Sequence, residues 1–294
     1  MNLSQLEVVV AIVDTGSLTA AAEKVGLTQS AVSYSLSRLE AELGVTLLER
    51  NRQGVLVTQI GKEVIQHARM ILGQIEVIRQ KTNRERGLSS GKVRFGVVPD
   101  LDPRLLTGTI RQFQHKYPEI EIVLFEGNPH ELLEWLETGV IDVGTVLDPK
   151  HYKNTVEFVS AEIKMLVPEK HPLAEKSSVS IAALAEYPLI GPRSQYRMFN
   201  DMLAGKNIPA MPPLRYEASS RNTIMTMVRE NMGVSMMPET LYDGEMQGIV
   251  AISFDPPLHI KVYLATHVES PISITFMKHA HNRAKEHGFF PDKT

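Results

Sequence analysis

The sequence predicts an α/β chain whose N-terminal unit is a winged helix-turn-helix, mainly α, followed by a long dimerisation helix and then a sheet-based domain. Three observations carry that expectation. Apolar residues recur at helical spacing from Leu3 to about Arg86; a polar stretch, "RERGLSSGK" (Arg84 to Lys92), then interrupts the chain; beyond it short apolar runs alternate with helical ones. With 294 residues, 43% of them hydrophobic and 22% charged, the chain is long enough for two or three globular units.

Leu3, Leu6, Val9, Val10 and Val13 form the stripe of a first helix, and Gly16 closes it. "LTAAAEKV" is rich in alanine, the best helix former, and stops at Gly26. A third segment starts at Thr28, an N-cap by residue type. Val32, Leu36, Leu39 and Leu43 share its inner face, while Gln29, Ser30, Ser33, Tyr34, Ser37 and Arg38 lie on the other. After Gly44, "VTLLERNRQGVLVT" flanks a polar tip, Asn51 to Gly54, with apolar and β-favouring pieces, the pattern of a hairpin wing. Thr58 then caps a segment in which Val64, Ala68, Ile71, Ile75, Ile78 and Thr82 keep a 4-3-4-3-4 spacing, the a/d pattern of paired helices. At ~1.5 Å per residue it is a rod of roughly 42 Å, long for one face of a small domain. The competing reading is a helix lying along its own core.

Past the linker, "KVRFGVV", "EIVLF", "IDVGTV" and "IKMLV" read as buried strands with helices between the earlier ones. The pattern returns in "YPLIG", "LRYEA", "GVSMMP", "GIVAISF" and "IKVYLAT". The expectation is a sheet of mostly parallel strands.

Composition excludes several classes of function. There is no cysteine, so no disulfide framework, thiolate metal site or cysteine nucleophile exists. The first residues reach Glu7 and Asp14 before any Lys or Arg, unlike a secretory leader, and no apolar run approaches the ~20 residues that span a bilayer. A cytoplasmic protein with no membrane partner is expected. His279, His281 and His287 share the C-terminal helical tail, but an i,i+2 pair does not fall on one helix face. The methionines at 225, 227, 232, 236 and 237 read as adaptable core filling. No nucleophile elbow, phosphate loop or zinc-protease motif appears, so no catalytic residue, metal or resident cofactor is assigned, and the chain is not expected to be an enzyme.

A helix that follows a tight turn and presents small polar groups fits the DNA major groove. Gln29 can pair with an adenine edge or a phosphate, Ser30 and Ser33 can bond to either, and Arg38 can reach phosphate or guanine. Arg50 and Arg52, beside the wing tip, suit phosphates or an adjacent minor groove. Bulk charge does not supply the affinity. Residues 1 to 86 hold ten Lys/Arg against nine Asp/Glu, so cations must cluster on one face.

The stretch "AIVDTGSLTAAAEKVGLTQSAVSYSLSRLEAELGVTLLERNRQGVLVTQIG" resembles the N-terminal signature of LysR-type transcriptional regulators. The matching residues are Gly16, Ser17, Ala21, Ala22, Gln29, Ala31, Val32, Ser33, Leu39, Glu40, Leu43, Gly44, Leu47, Arg50, Thr58 and Gly61. Thr28, Ser30 and Leu48 depart from it, standing where Ser, Pro and Phe are usual. "GKVRFGV", "FQHKYPEIEIVLFEGNPHELLEWLETGVIDVGTV", "EKHPLAE" and "VRENMGVSMMP" resemble the landmarks of that family's effector-binding domain, in order.

The resemblance implies a two-lobed α/β effector-binding domain similar to periplasmic solute-binding proteins, with an inducer between the lobes. Crossover strands are expected near Ser160 to Lys164 and Ala265 to Val268. The organisation expected is a DNA-binding domain at 1–58, a linker/dimerisation helix at 59–86 paired through Val64, Ala68, Ile71, Ile75 and Ile78, a hinge linker at 87–91, and the effector domain at 92–294. Its lobe I is about 92–161 with 267–294, and its lobe II about 162–266. The expected partners are double-stranded DNA, a second copy in a homodimer, further copies in a homotetramer, RNA polymerase and a small-molecule inducer.

Ligands in open α/β folds settle beyond the carboxyl ends of strands, at helix N-termini. Asp100 faces such a junction, with Asp102 and Pro103 reading as N-cap and N1. Both aspartates can equally serve as caps, and a carboxylate at 100 opens the way to an amino or guanidino ligand. Ser219 and Ser220 can cap a helix or bind a carboxylate, and Arg193 can form a bidentate pair or stay a surface residue. Thr145 and Asn128 qualify by strand-end position. The rival to a regulator is a cytoplasmic solute-binding protein or enzyme with a helical dimerisation module and no specific DNA affinity.

Overall fold

The computed structural model describes residues 1–51, 54–85, 90–99, 101–204, 211–242 and 246–289. Three helices open the chain: α1 (Leu3–Thr15), α2 (Leu18–Val25) and α3 (Gln29–Leu43). Each ends on a glycine in the left-handed region, Gly16, Gly26 and Gly44, where an L side chain would be strained. Asn2, Ser17 and Thr28 cap the three N-termini through side-chain oxygens.

The wing is the antiparallel hairpin β1 (Leu48–Asn51) and β2 (Gly54–Val57), and α4 (Gln59–Glu85) follows. Thr58 joins them. Its hydroxyl donates to Thr46 O at 2.8 Å and accepts the Gly61 amide at 3.0 Å. Val9, Ile12, Ala21, Val32, Leu36, Leu39 and Leu47 form a head core that α4 completes with Ile65.

The second part is one mixed sheet of nine strands, ordered β4-β3-β5-β11-β6-β10-β8-β9 with β7 on β11. One half holds β3 (Gly91–Val97), β4 (Ile120–Glu126) and β5 (Val143–Val146), with α5 (Pro103–Lys116) and α6 (Pro129–Glu137) between them. β6 (Asn154–Pro168) then runs into the other half, which holds β7 (Ser178–Val179), β8 (Leu189–Gly191), β9 (Leu214–Glu217) and β10 (Val234–Pro238), with α7 (Arg193–Ala204) and α8 (Arg221–Arg229). β11 (Ile249–Thr266) returns, and α9 (Pro271–Glu286) closes on the first half. There Phe276 meets Phe95 of β3 and Phe113 of α5 edge-on, with ring centroids 4.8 and 5.0 Å apart.

Five of the eight pairings in this sheet are parallel, as expected, and the three that join β5, β6, β10 and β11 through the middle are antiparallel. The expected strand limits are corrected. "GIVAISF" and "IKVYLAT" are a single strand, whose pairing with β6 slips between Ser253 and Leu258. The prolines at 256 and 257 interrupt the alternation without ending the strand, because the slip absorbs them. β11 changes neighbours from β7 at Phe254 to β5 at Tyr263, so its crossing lies ahead of the expected Ala265 to Val268. β6 also begins earlier than its apolar run, at Asn154, because its first part pairs with the end of β11.

Candidate nucleic-acid interface and interlobe cleft

α3 separates two surfaces. Val32, Leu36 and Leu39 are buried in the head, and Gln29, Ser30, Tyr34, Ser37 and Arg38 are exposed. Ser33 is half-buried among them. At the entry of the helix Thr28 Oγ1 lies 3.0 Å from Ser30 Oγ and accepts the Ala31 amide at 3.2 Å, so the serine at 30 shares the cap rather than pointing freely outward. Tyr34, 67% exposed, is a large aromatic in water at the middle of this face. The Arg38 guanidinium sits 6.0 Å from its ring centroid, which lays the cation along the outer face of the helix.

The wing is held to this helix by Glu40, whose Oε1 accepts the amides of Leu47 and Leu48 at 2.7 and 3.1 Å. Sequence reasoning noted Glu40 only as a matching letter. Its role needs the chain to turn back at Gly44. Arg50 pairs opposite Val55 in the wing; the side chain of Arg50 and the whole of Arg52 lie outside the described residues.

Along α4 the expected stripe divides. Val64 packs on the head core, and Ala68 is buried. Ile75 is half-buried, while Ile71 and Ile78 are 40% and 61% exposed. Arg69, which sequence reasoning passed over, reaches Asp14 at the end of α1 with Nη2 at 2.5 Å, and Lys24 holds the other oxygen of Asp14 at 2.9 Å. Burial lowers the Arg69 guanidinium from its ordinary value, the Asp14 charge opposes this, and Arg94 adds to it. Arg94 in turn forms a two-pronged pair with Asp142, at 3.0 Å from Nε and 2.6 Å from Nη2.

The expected cleft residues fall into two groups, one on each half of the sheet. Thr145, at the end of β5, is 2% exposed and its hydroxyl accepts the Val98 amide at 3.2 Å, tying β5 to the loop that leaves β3. Asn128 caps α6 in a reciprocal box with Glu131, which occupies its side-chain oxygen. Asp102 caps α5 ahead of Pro103; Asp100 lies outside the described residues. In the other half Ser220 caps α8, Ser219 is exposed beside it, and Arg193 pairs with Glu217 at 2.9 Å across the β8 and β9 ends. Asn128, Ser220 and Arg193 therefore have structural partners already, while Ser219 is exposed and Thr145 is buried at the end of β5. Among the described residues no group of acids and histidines could hold a metal ion, and no helix is long and apolar enough to cross a membrane.

A polar-faced helix on a wing-braced head, joined by a long helix to a two-lobed sheet domain, defines a ligand-responsive DNA-binding protein. The comparisons with known proteins agree. Residues 3–62 match the bacterial regulatory helix-turn-helix protein family of LysR type, and residues 86–280 match the LysR substrate binding domain. The chain is 33% identical to the uncharacterized HTH-type transcriptional regulator YvbU of Bacillus subtilis, over 90% of this chain and 91% of that one. It is 30% identical to a hydrogen peroxide-inducible genes activator of Haemophilus influenzae, over 85% and 84%. A full-length OxyR variant from Pseudomonas aeruginosa shares the fold with a TM-score of 0.79 at 23% identity, covering 97% of this chain and 95% of that one. Full-length BenM aligns over the whole of both chains with a TM-score of 0.57 at 22% identity. The chain belongs to the LysR-type transcriptional regulators: it is a DNA-binding, self-associating regulator with an effector-binding domain, and not an enzyme. The rival reading of a solute-binding protein or enzyme without DNA affinity is overturned by the match of the head.

Proposed function

We propose that this regulator works in the cytoplasm as a homodimer paired through the Ile71, Ile75 and Ile78 side of α4, with dimers joined into a tetramer, and that it reads an inverted repeat with one α3 in each of two major grooves. The observation that supports the reading is the exposed face of α3, on which Ser33, Tyr34 and Arg38 stand over a buried inner face. Two-fold symmetry of the protein demands two-fold symmetry of the site. Gln29, Ser30, Ser33 and Arg38 contact base edges and phosphates, and Arg50 and Arg52 add the wing.

A small-molecule inducer occupies the cleft near Thr145 and Ser219, with Asp100, Asn128, Arg193 and Ser220 at its rim. By favouring one lobe arrangement it shifts the population of DNA-binding forms and the contact with RNA polymerase. Several relatives, among them those of Haemophilus influenzae and Dickeya chrysanthemi, are named hydrogen peroxide-inducible genes activators. This chain contains no cysteine, so its own signal does not pass through a thiol or disulfide.

The test is retention of sheared genomic DNA, followed by gel shifts on the enriched sites. Arg38→Ala should lower affinity and reduce the salt dependence by about one released counterion, and Ser33→Ala should relax preference at one or two positions. Uniform retention of all fragments, or no change in either variant, would refute the assigned face.

A further inference from the structure

The face of α4 opposite its exposed isoleucines lies against the first half of the sheet domain, lobe I. Ile71 and Ile78 stand about half a turn around the helix from Arg69 and Glu76. Val77, about three turns beyond the head-core residue Ile65, is 6% exposed, and α4 touches α9. At Arg69 the neighbour is the turn after α6: a Cβ on Gly139 would stand 3.5 Å from the Arg69 Cβ, in van der Waals contact. Head, connecting helix and lobe I meet here.

Each side of this junction carries its own ion pair. On the head side Arg69, with a side chain 11% exposed, reaches Asp14, which Lys24 of α2 also holds. On the lobe side Arg94 is fixed by Asp142 and donates from Nη1 to the Gly139 carbonyl at 2.8 Å. Burial pulls the Arg94 guanidinium down, but the Asp142 hydrogen bonds and charge, with Asp14 and Glu76 across the junction, raise it above its ordinary value. Arg94 in turn repels Arg69. If the two sides part, Arg69 keeps Asp14 and Arg94 keeps Asp142. The contact therefore opens without stripping either guanidinium of its acid, the loss that makes a buried pair costly to break.

The junction also reaches toward both working surfaces. Asp142 stands directly ahead of β5, near whose far end Thr145 lies. Asp14 is two residues ahead of Gly16, whose carbonyl oxygen would be 3.1 Å from a Cβ on Gly54 of the wing. We propose that the contact of Arg69 with Gly139 is a latch, a dock of α4 on lobe I that opens and closes, through which the effector domain sets the position of the DNA-reading head. Docked, head and lobe I move as one body; undocked, the head and α4 move without lobe I. The latch is independent of which α3 residues touch DNA and of which cleft residues touch an inducer.

The chain has no cysteine, so an engineered disulfide is read without background. In the full-length Arg69→Cys, Gly139→Cys double variant the two Cβ positions fall within the about 3.5–4.5 Å that a disulfide spans. Oxidation by glutathione disulfide should form the bond within one chain, seen on a denaturing gel as a monomer of altered mobility. Operator affinity in gel shifts should then differ at least about fivefold between the oxidised and the reduced protein. Weaker binding when locked identifies the docked arrangement as the releasing form, and tighter binding identifies it as the DNA-holding form. Equal affinity, or no bond within the chain, would overturn the proposal. Because the backbone at 139 is left-handed and strains any L side chain, Val77→Asp supplies an independent reading. It should change operator affinity at least about fivefold while far-ultraviolet dichroism and sedimentation stay as in the natural chain. Unaltered affinity, or a smaller assembly, would overturn the latch equally.

Discussion

One oxygen of the Glu40 carboxylate accepts the backbone amides of Leu47 and Leu48, so the groove-reading helix and the first strand of the wing are fastened by a single side chain. Charge-assisted bonds of this kind contribute about 1.5–3 kcal/mol each, less where water competes. Glu40→Ala should lower the unfolding free energy of the head by about 2 kcal/mol and weaken operator binding, with Glu40→Gln intermediate because an amide oxygen still accepts. Thermal unfolding and gel shifts measure the two effects. A stability loss with unaltered DNA affinity would show that the wing does not need this fastening to read DNA.

Gly61 lies under the same strand. A Cβ at 61 would collide with the Leu47 carbonyl, and the Thr58 hydroxyl already occupies the space beside it. Gly61→Ala should therefore destabilise the head by about 1–3 kcal/mol through forced backbone movement, although alanine is the better helix former. Urea unfolding would detect it, and a gain in stability would show that the α4 start can shift freely.

Self-association should respond to α4 and not to the head core. Ile71 and Ile78 are exposed apolar residues, and each buries about 1.5–3 kcal/mol worth of side chain if covered by a partner. Ile71→Asp with Ile78→Asp should shift the assembly to smaller species in sedimentation at micromolar concentration, leaving far-ultraviolet dichroism unchanged. Wild-type assembly in this double variant would place the pairing surface elsewhere.

Acid should weaken the sheet domain through His279. Burial lowers this imidazole from its ordinary value of 6.5, with Lys116 and Arg283 acting in the same direction against a Thr109 backbone bond and Glu286. Below about pH 6.5 the unfolded chain takes up a proton that the folded one does not. Stability is therefore full above that pH, falls as pH drops from 6.5 through the lowered folded value, and levels off beneath it. His171, also lowered by burial, contributes in the same sense. Unfolding midpoints between pH 8 and 5 should fall less steeply for His279→Gln than for the natural chain; equal slopes would reject the role.

Much of the head was legible because its signals are local. Gly16, Gly26 and Gly44 end helices where the chain needs positive φ, and Thr28, Thr58 and the Asp102-Pro103 pair start them through bonds a few residues long. The polar face of α3 followed from periodicity alone, since a helix fixes which side chains lie on one side. Strand positions were also readable from apolar runs, which is why most of the sheet was found.

What the residues could not disclose depends on partners distant in sequence. The a/d stripe of α4 read as one surface, but docking on the head core takes Val64 for the head, and Ala68 is buried while Ile71 and Ile78 stay exposed. "GIVAISF" and "IKVYLAT" read as separate strands, and only pairing with β6 makes β11 continuous. Asn128 and Ser220 looked available to a ligand until the helices they cap were in place. Arg69 gains meaning from Asp14, and Arg283 from the close approach that Gly108 allows. The sequence alone determined most of the elements and many of their caps; the tertiary structure decided which polar groups were already satisfied, because a hydrogen bond or ion pair forms where the fold brings its two halves together.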